Sequence, residues 1–350
     1  MILFNIKKSN NLYLDACAST PIHEKVLEEI IFVNQNFFAN PSSIHSQATE
    51  SAELLERSRM LIANKLNANI NDIIFTSGAT ESINFAIKGA ASSIKPGRIV
   101  ISSVEHPSVQ NAALSLKALG WDVIFWPVDK YGTVNLNYID KYLEEPTKIL
   151  SIIWGQSDIG TIQPIQHIGN ECKKRGIVFH SDATQVLPHG LFNWRQLPVD
   201  LLSASAHKFQ GPKGIGLLLK KNTKLRPLLL GGKQENGMRA GTEPLPLIVG
   251  MARAISLIEN ELILNDTSTE FPGNKVSEIT NYLATGLSKL DNIHLVGNKV
   301  NFNRLPNHIS ILVGNKNNKP ISGRSVVRKL SEKGISCSTG SACKSGVTED

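Results

Sequence analysis

The sequence predicts an α/β fold in which a mainly parallel sheet is covered by helices on both faces. Short continuous apolar runs alternate along the chain with helix-like or turn-rich stretches, and strands buried on both faces of a sheet have that apolar character. The length of 350 residues is enough for about two domains. Hydrophobic residues make up 41% and charged residues 19%, as in ordinary soluble globular proteins.

The first part of the chain carries the repeated pattern of strands and helices. A helix is predicted over Ser43–Leu66, where apolar residues recur at helical spacing. The apolar run Ile73–Phe75 predicts a strand that breaks at Ser77-Gly78, before a helix over Glu81–Ala90. Further strands are predicted at residues 99–101, 123–126, 149–154, 177–179, 201–202 and 215–219. Because ligands bind at the carboxyl ends of strands in such sheets, the polar residues that follow these runs are candidates for a site.

The last part of the chain predicts a second, smaller α/β unit. A helix over Leu245–Leu262 is followed by polar residues with a Pro-Gly at 265–274, which indicates a linker. Beyond it, a helix, a strand and a helix are predicted at about 275–290, 309–313 and 323–333. We therefore expect a large domain over residues 1–262 and a small domain over residues 263–350. The N-terminal segment could pack on the small domain, which lacks a closing helix after Cys343 and is expected to be truncated.

Composition excludes several classes of function. No run approaches the ~20 apolar residues of a membrane-spanning helix, and the start of the chain has no secretory signal, so we expect a cytoplasmic protein without a membrane partner. The net charge of +7 comes from scattered pairs of basic residues, which argues against nucleic acid as the main partner. The four cysteines form no C-x-x-C pair, so neither a metal site nor a disulfide framework is predicted.

Two segments that follow strands could bind a phosphorylated heterocycle. Thr76–Glu81 lies between a strand and a helix, where free N–H groups and the helix dipole form a phosphate cradle to which Thr80 adds a hydroxyl. An ordinary helix cap is the alternative. Asp182 follows another strand and could begin a helix. It could instead hold a protonated ring nitrogen, which pyridoxal phosphate (PLP) needs to act as an electron sink.

Three further residues could carry chemistry. Lys208 follows a strand and precedes a Gly-rich turn, where a desolvated lysine can form a Schiff base with an aldehyde, although most lysines lie on the surface. His106 could stack on a flat ring or be structural. Cys343 lies in a segment of small residues typical of a mobile loop, and Lys344 would favour the reactive thiolate. An exposed thiol without a function is the alternative.

In chain order these segments resemble the NifS/IscS-type cysteine desulfurases, PLP enzymes of fold type I within the class-V aminotransferase family. The resemblance covers nearly the whole chain. It rests on Tyr13-Leu14-Asp15, Thr20-Pro21, Asn40-Pro41-Ser42-Ser43, Thr76–Glu81, His106, Asp182–Gln185, Ser205–Gly214, Gly237–Thr242 and Ser338–Cys343. It implies a PLP-dependent transferase fold type I with a large and a smaller α/β domain. It also implies that L-cysteine is converted to L-alanine, with the sulfur passed to a scaffold or carrier protein.

The resemblance also implies roles for individual residues. Lys208 would hold PLP covalently and move the substrate α-proton, Asp182 would pair with the pyridine nitrogen, and Cys343 would take the sulfur as a persulfide. His106 would stack on the ring, and Gln185 would bind the ring hydroxyl. The phosphate would be held by Ala79, Thr80, Ser205, His207 and, from the other subunit of a homodimer, Thr242. Asn40 and Ser157 would contact the substrate.

Three departures from the family pattern affect what is expected of the activity. Ser157 stands where the family has an asparagine, and its shorter side chain would need a water to reach the cofactor hydroxyl. Asn236 stands where an arginine is usual. The family supplies an arginine after the cysteine loop that grips the substrate carboxylate, and no candidate follows Cys343. Because such a bidentate contact is strong, its loss would predict weak cysteine binding.

Two alternatives remain open from the sequence. One is another fold-type I PLP enzyme, such as a selenocysteine lyase, although an aminotransferase has no use for a thiol at Cys343. The other is a weakly active or inactive desulfurase paralogue that acts as an interaction partner in sulfur transfer. Iron–sulfur cluster assembly is one pathway that the desulfurase interpretation would serve.

Overall fold

The computed structural model describes residues 11–298, 302–315, 317 and 319–340. The strands in these ranges are β1 (Leu12–Tyr13), β2 (Ile73–Thr76), β3 (Arg98–Ser102), β4 (Asp122–Trp126), β5 (Thr147–Ile153), β6 (Val178–Asp182), β7 (Leu201–Ser205), β8 (Gly216–Lys220), β9 (Ile263–Leu264), β10 (Thr269–Glu270), β11 (Ile293–Val296), β12 (Ser310–Val313) and β13 (Ile335–Ser336). The helices are α1 (Glu24–Asn36), α2 (Ser46–Lys65), α3 (Ala79–Ala91), α4 (Pro107–Ser115), α5 (Ile139–Leu143), α6 (Ile165–Arg175), α7 (Leu245–Ser256), α8 (Lys275–Leu287) and α9 (Gly323–Glu332).

A seven-stranded sheet in the order β2-β8-β7-β6-β5-β3-β4 forms the centre of the large domain. Strand β8 is antiparallel to both of its neighbours, and the other pairs are parallel. All strands except β8 therefore point the same way, and their carboxyl ends lie along one edge. The predicted α/β fold with a mainly parallel sheet is confirmed.

Both faces of this sheet are buried, as the continuous apolar runs predict. In β3, Ile99 and Ile101 pack with α3 and α4, whereas Val100 belongs to the core on the opposite face. In β8, Leu218 packs on the same face as Ile99 and Ile101, whereas Leu217 and Leu219 pack on the opposite face. Successive side chains of these two strands alternate between two apolar environments, which explains why both are continuous apolar runs.

The region after α7 differs from the prediction. The helix expected to reach Leu262 ends at Ser256, because the chain turns to pair with the segment around Leu191. The Leu191 N–H donates to Asn260 O, and the Leu262 N–H donates to Leu191 O, both at 2.8 Å. The predicted linker contains β10, which pairs with β9 immediately before it in a short hairpin. Long-range backbone pairing thus overrides the local helical pattern.

Two sets of contacts connect the small α/β unit to the rest of the protein. One is made by β1, and the other by the region around residue 305. Strand β1 pairs in parallel with β13, and the Ser338 hydroxyl donates to Asp15 at 2.8 Å. The Leu305 N–H donates to Gly160 O at 2.8 Å. The division at residue 262 stays a prediction. In the described ranges, no helix has both the length and the apolar character needed to cross a bilayer.

Candidate active site

The start of α3 is the predicted phosphate cradle. Gly78 is the N-cap residue and provides no side-chain cap, so the first backbone N–H groups, at Ala79 and Thr80, have no acceptor within the helix. Ala79 is half-buried and Thr80 is exposed. Open N–H groups at the positive end of a helix dipole bind anions. The residues at this helix start therefore suit a phosphate group.

A close approach of backbone brings this cradle against β7 and β8. A Cβ atom on Gly216 would lie 2.5 Å from the Cα of Gly78, so no side chain fits at position 216. Ser205, the last residue of β7, is paired with Gly216 and is 4% exposed. A Cβ built on Gly78 would lie 3.7 Å from the Ser205 hydroxyl. The hydroxyl of Ser205 thus lies beside this helix start, and its contact with a phosphate stays a prediction.

Asp182 ends β6 at the same edge of the sheet. It is 4% exposed, and its Oδ1 accepts the Thr184 N–H at 3.0 Å. The hydroxyl of Thr184 is buried and has no hydrogen-bond partner in the described part of the chain. Gln185 is buried in the same turn and donates from Nε2 to Cys17 O at 2.9 Å. The Asp182 carboxylate, the Thr184 hydroxyl and the Gln185 amide therefore lie together at this strand end.

Lys208 lies in the short 3-10 turn that follows β7, next to β6 in the sheet. Its Nζ donates to Cys17 O at 2.5 Å and to Ala18 O at 2.9 Å. Gln185 donates to the same Cys17 carbonyl. Lys208 and Gln185, which lie far from Cys17 in the chain, thus share its carbonyl oxygen as an acceptor. This shared contact places the Lys208 amine in the same pocket as the turn that carries Asp182.

His106 and Glu105 follow β3 at this edge. His106 is the N-cap of α4, and its Nδ1 accepts the Ser108 N–H at 3.1 Å, so the ring has a fixed position. Glu105 is buried, and its Oε1 accepts hydrogen bonds from the Ser102 hydroxyl and the Ile153 N–H, both at 2.6 Å. Burial raises the pKa of Glu105 to about 8, so the side chain is mainly a neutral acid at pH 7.

His207 lies between Lys208 and the N-terminal segment. Its Nδ1 is 3.1 Å from the Ser19 hydroxyl, and its backbone carbonyl accepts from the Thr20 hydroxyl at 2.9 Å. Burial, together with the charges of Lys208 and Lys213, lowers the pKa of His207 to about 4. The imidazole is therefore neutral near pH 7, and it can donate a hydrogen bond without carrying a charge.

The remaining predicted residues are less well tied to the pocket. Ser157 is half-buried, and its carbonyl accepts from His308 Nε2 at 2.8 Å. Asn40 is exposed, and its Oδ1 caps a turn by accepting the Ser42 N–H at 2.9 Å. Thr242 is exposed, so its predicted contact with a second subunit stays a prediction. Cys343 lies outside the described residues.

Three residues in or next to this pocket, Cys17, Glu105 and Asn307, were not predicted from the sequence. The carbonyl of Cys17 receives Lys208 and Gln185, and Asn307 Nδ2 lies 3.9 Å from the Cys17 sulfur. Glu105 connects the ends of β3 and β5. Cys17 lies two residues after Asp15, and nothing in the local sequence indicated that its carbonyl faces Lys208. The only signal in the sequence for Glu105 was its position directly before His106, shortly after a predicted strand.

Comparison with known proteins agrees with this geometry. Residues 12–349 match the model of the family described as aminotransferase class-V.

The chain belongs to the class-V aminotransferase family.

Among its relatives is a cysteine desulfurase IscS of Dictyoglomus turgidum, 40% identical over 342 residues that cover 97% of this chain and 83% of the relative. A solved NifS-like protein is 32% identical with a TM-score of 0.84, over 93% of this chain and 87% of the other. A structure titled SspA in complex with cysteine is 31% identical with a TM-score of 0.77, over 95% and 90% of the two chains.

Class-V aminotransferases use PLP, and the residues of this member fit that cofactor. The start of α3 lacks a side-chain cap and suits the phosphate. Asp182 provides a buried carboxylate for a ring nitrogen, and the unpartnered Thr184 hydroxyl provides a further donor. Lys208 provides a primary amine at the same strand edge. Phosphate cradle, carboxylate and amine are the three groups that recognise the three ends of PLP.

Proposed function

We infer that this class-V aminotransferase is a PLP-dependent cysteine desulfurase, which converts L-cysteine to L-alanine and passes the sulfur to an acceptor. The observation that carries this proposal is the convergence of Lys208 and Gln185 on the Cys17 carbonyl, in the turn region of buried Asp182. The relatives named cysteine desulfurase match nearly the whole chain. The solved relative with bound cysteine supports this amino acid as the substrate.

When bound, PLP supplies an electron sink that stabilises negative charge on the carbon next to the substrate amine. Lys208 would hold the cofactor covalently, and its amine would move a proton at the substrate α-carbon. The carbonyls of Cys17 and Ala18 fix the position of the Lys208 Nζ, which is what a proton shuttle requires. Asp182, held by the Thr184 N–H, keeps the ring nitrogen protonated.

The phosphate and the ring are held by residues that the fold has already fixed. The N–H groups at Ala79 and Thr80 bind the phosphate together with the Ser205 hydroxyl. His207 donates a hydrogen bond as a neutral imidazole, because burial lowers the pKa of its ring to about 4. His106 would stack on the ring, with its orientation set by the Ser108 N–H. Gln185 would bind the ring hydroxyl.

Sulfur transfer is assigned to Cys343 and follows a balanced exchange of bonds. The Cys343 thiolate attacks the substrate sulfur, the bond between that sulfur and the substrate Cβ breaks, and an S–S bond forms on Cys343. The Cβ takes a proton, and the product leaves as alanine. The persulfide sulfur then passes to the thiol of an acceptor protein. Asn40 and Ser157 contact the substrate in this proposal.

Assembly and location are proposed from the same family membership. The protein acts as a homodimer in which Thr242 of one subunit reaches the phosphate of the other, and the exposure of Thr242 in the single chain is compatible with that role. The acceptor is a scaffold or carrier protein, with iron–sulfur cluster assembly as the process served. The compartment is the cytoplasm.

The test is the release of alanine and sulfide from L-cysteine by the PLP-loaded chain in the presence of a reductant. Equal amounts of the two products are expected. Cys343→Ala should keep the visible absorbance of the bound cofactor and release sulfide at less than about a tenth of the wild-type rate, since it lacks the nucleophile. Cys337→Ala is the matched control and should retain the wild-type rate. Sulfide release by Cys343→Ala at the rate of the control would contradict the proposal.

A further inference from the structure

A carboxylate lies at the start of the helix that binds the phosphate. Glu81 is in the first turn of α3, and its Oε2 accepts the Ser77 N–H at 2.8 Å. An acidic residue here stabilises an isolated helix start, because it complements the helix dipole. Beside a bound phosphate, however, the same negative charge repels the ligand. The site therefore needs a positive charge that offsets Glu81.

Arg239 supplies that charge from a distant part of the chain. Its Nε donates to Glu81 Oε1 at 2.9 Å, and its Nη2 donates to Glu81 Oε2 at 3.3 Å. The two side chains are only 19% and 15% exposed. Although burial acts to raise the pKa of Glu81, the hydrogen bonds from Arg239 and Ser77 lower it overall. Glu81 is thus a carboxylate at neutral pH, and Arg239 pairs with it in a fork-like geometry.

The loop that carries Arg239 is itself anchored. Arg59 of α2 donates through both Nη atoms to the Glu235 carboxylate, at 2.9 and 2.7 Å. Glu235 also accepts the Phe75 N–H at 2.9 Å, which ties the loop to the strand that leads into the cradle. Glu235 and Asn236 have φ of 50° and 54°, a left-handed conformation that non-glycine residues adopt only when their surroundings fix it. Arg239 is therefore held in place from outside the cradle.

We propose that Glu81 and Arg239 form a charge-neutral positioning pair, which fixes Ser77 at the cradle while it removes the repulsion between Glu81 and a bound phosphate. The proposal rests on the proposed function in one respect, that the anion is the phosphate of PLP. It predicts that loss of Arg239 weakens binding of the phosphorylated cofactor and leaves binding of the unphosphorylated one almost unchanged.

The test compares equilibrium binding of PLP and of pyridoxal to the full chain after its cofactor has been removed. The dissociation constant of pyridoxal divided by that of PLP measures how much the phosphate contributes to binding. In Arg239→Met this ratio should fall at least about tenfold, because the Glu81 carboxylate then has no cation beside it at the helix start that would hold the phosphate. In the double variant Glu81→Gln/Arg239→Met the pair is again neutral. The ratio should therefore recover most of the way to its wild-type value. Arg57→Met, which removes an exposed pair with Glu53 on α2, is the control and should not change it.

The outcomes separate the two proposals. If the wild-type chain binds neither ligand, or binds both equally well, the proposed phosphate site is wrong. If the wild type prefers PLP and Arg239→Met weakens both ligands equally, Arg239 has a structural role only and the positioning pair is wrong. Lack of rescue in a folded double variant, checked by circular dichroism, would also contradict the charge argument.

Discussion

Cys17 takes part in the site through its backbone rather than through its thiol. Its carbonyl accepts Lys208 and Gln185. Burial raises the pKa of the thiol to about 11, in spite of the opposing charge of Lys208. A thiol with this pKa is protonated at neutral pH and is a poor nucleophile. The Cys17 thiol therefore does not compete with Cys343, which lies in a segment of small residues, for the proposed role of sulfur acceptor.

Glu105 lowers the stability of the fold as the pH rises, and this yields a prediction for one residue. Burial raises its pKa in the folded protein to about 8, whereas an unfolded chain has the ordinary value of about 4.3. Stability is therefore fully present below about pH 4.3 and is lost as the pH rises toward 8, because the folded state must retain the proton.

Replacement by glutamine should remove this dependence. Glu105→Gln keeps a neutral side chain with an oxygen for the Ile153 N–H, so its unfolding free energy relative to wild type should rise between pH 4.5 and 8, by about 4 kcal/mol. Glu105→Ala, which leaves the Ile153 N–H without an acceptor, should lose about 2 kcal/mol relative to glutamine. Urea unfolding across this pH range measures both. An unchanged difference between Glu105→Gln and wild type would contradict the assignment of a neutral buried acid.

At the scale of elements, a buried histidine joins three parallel strands. His180 of β6 lies 2.8 Å from the Ser151 hydroxyl of β5 and 2.9 Å from the Ser203 hydroxyl of β7. Burial lowers the pKa of His180 to about 3. Because the unfolded value is about 6.5, the stability contributed by neutral His180 is present above that pH and is lost as the pH falls toward 3.

Replacement of His180 should remove its share of the loss of stability in acid. Between pH 7 and pH 5 the wild type should lose about 2 kcal/mol more unfolding free energy than His180→Asn, which has no group that titrates there. Urea unfolding of both proteins at the two pH values measures the difference. His308→Asn, which removes another buried histidine with a pKa lowered to about 4, should flatten the profile similarly. Parallel pH profiles for wild type and His180→Asn would contradict the claim of a buried neutral ring.

At the scale of the whole molecule, local patterns predicted the sheet but not the contacts between distant segments. Polar residues followed several of the predicted strands, and this was enough to place Asp182 and Ser205 at one edge of the sheet. The convergence of Lys208 on Cys17 joins residues 191 positions apart, and no local pattern reports such a pair. The pairing of Arg239 with Glu81 spans 158 positions. The premature end of α7 has the same origin, because its cause is the distant segment at Leu191.

The proposed function depends most on Lys208 as the lysine that binds the cofactor. The full chain, purified with PLP and treated with borohydride, should carry a reduced pyridoxyl group that peptide mass spectrometry places on Lys208. Lys208→Ala treated in the same way should carry none. Finding the group on another lysine, such as Lys213, or on no lysine of the wild-type chain, would contradict the central claim.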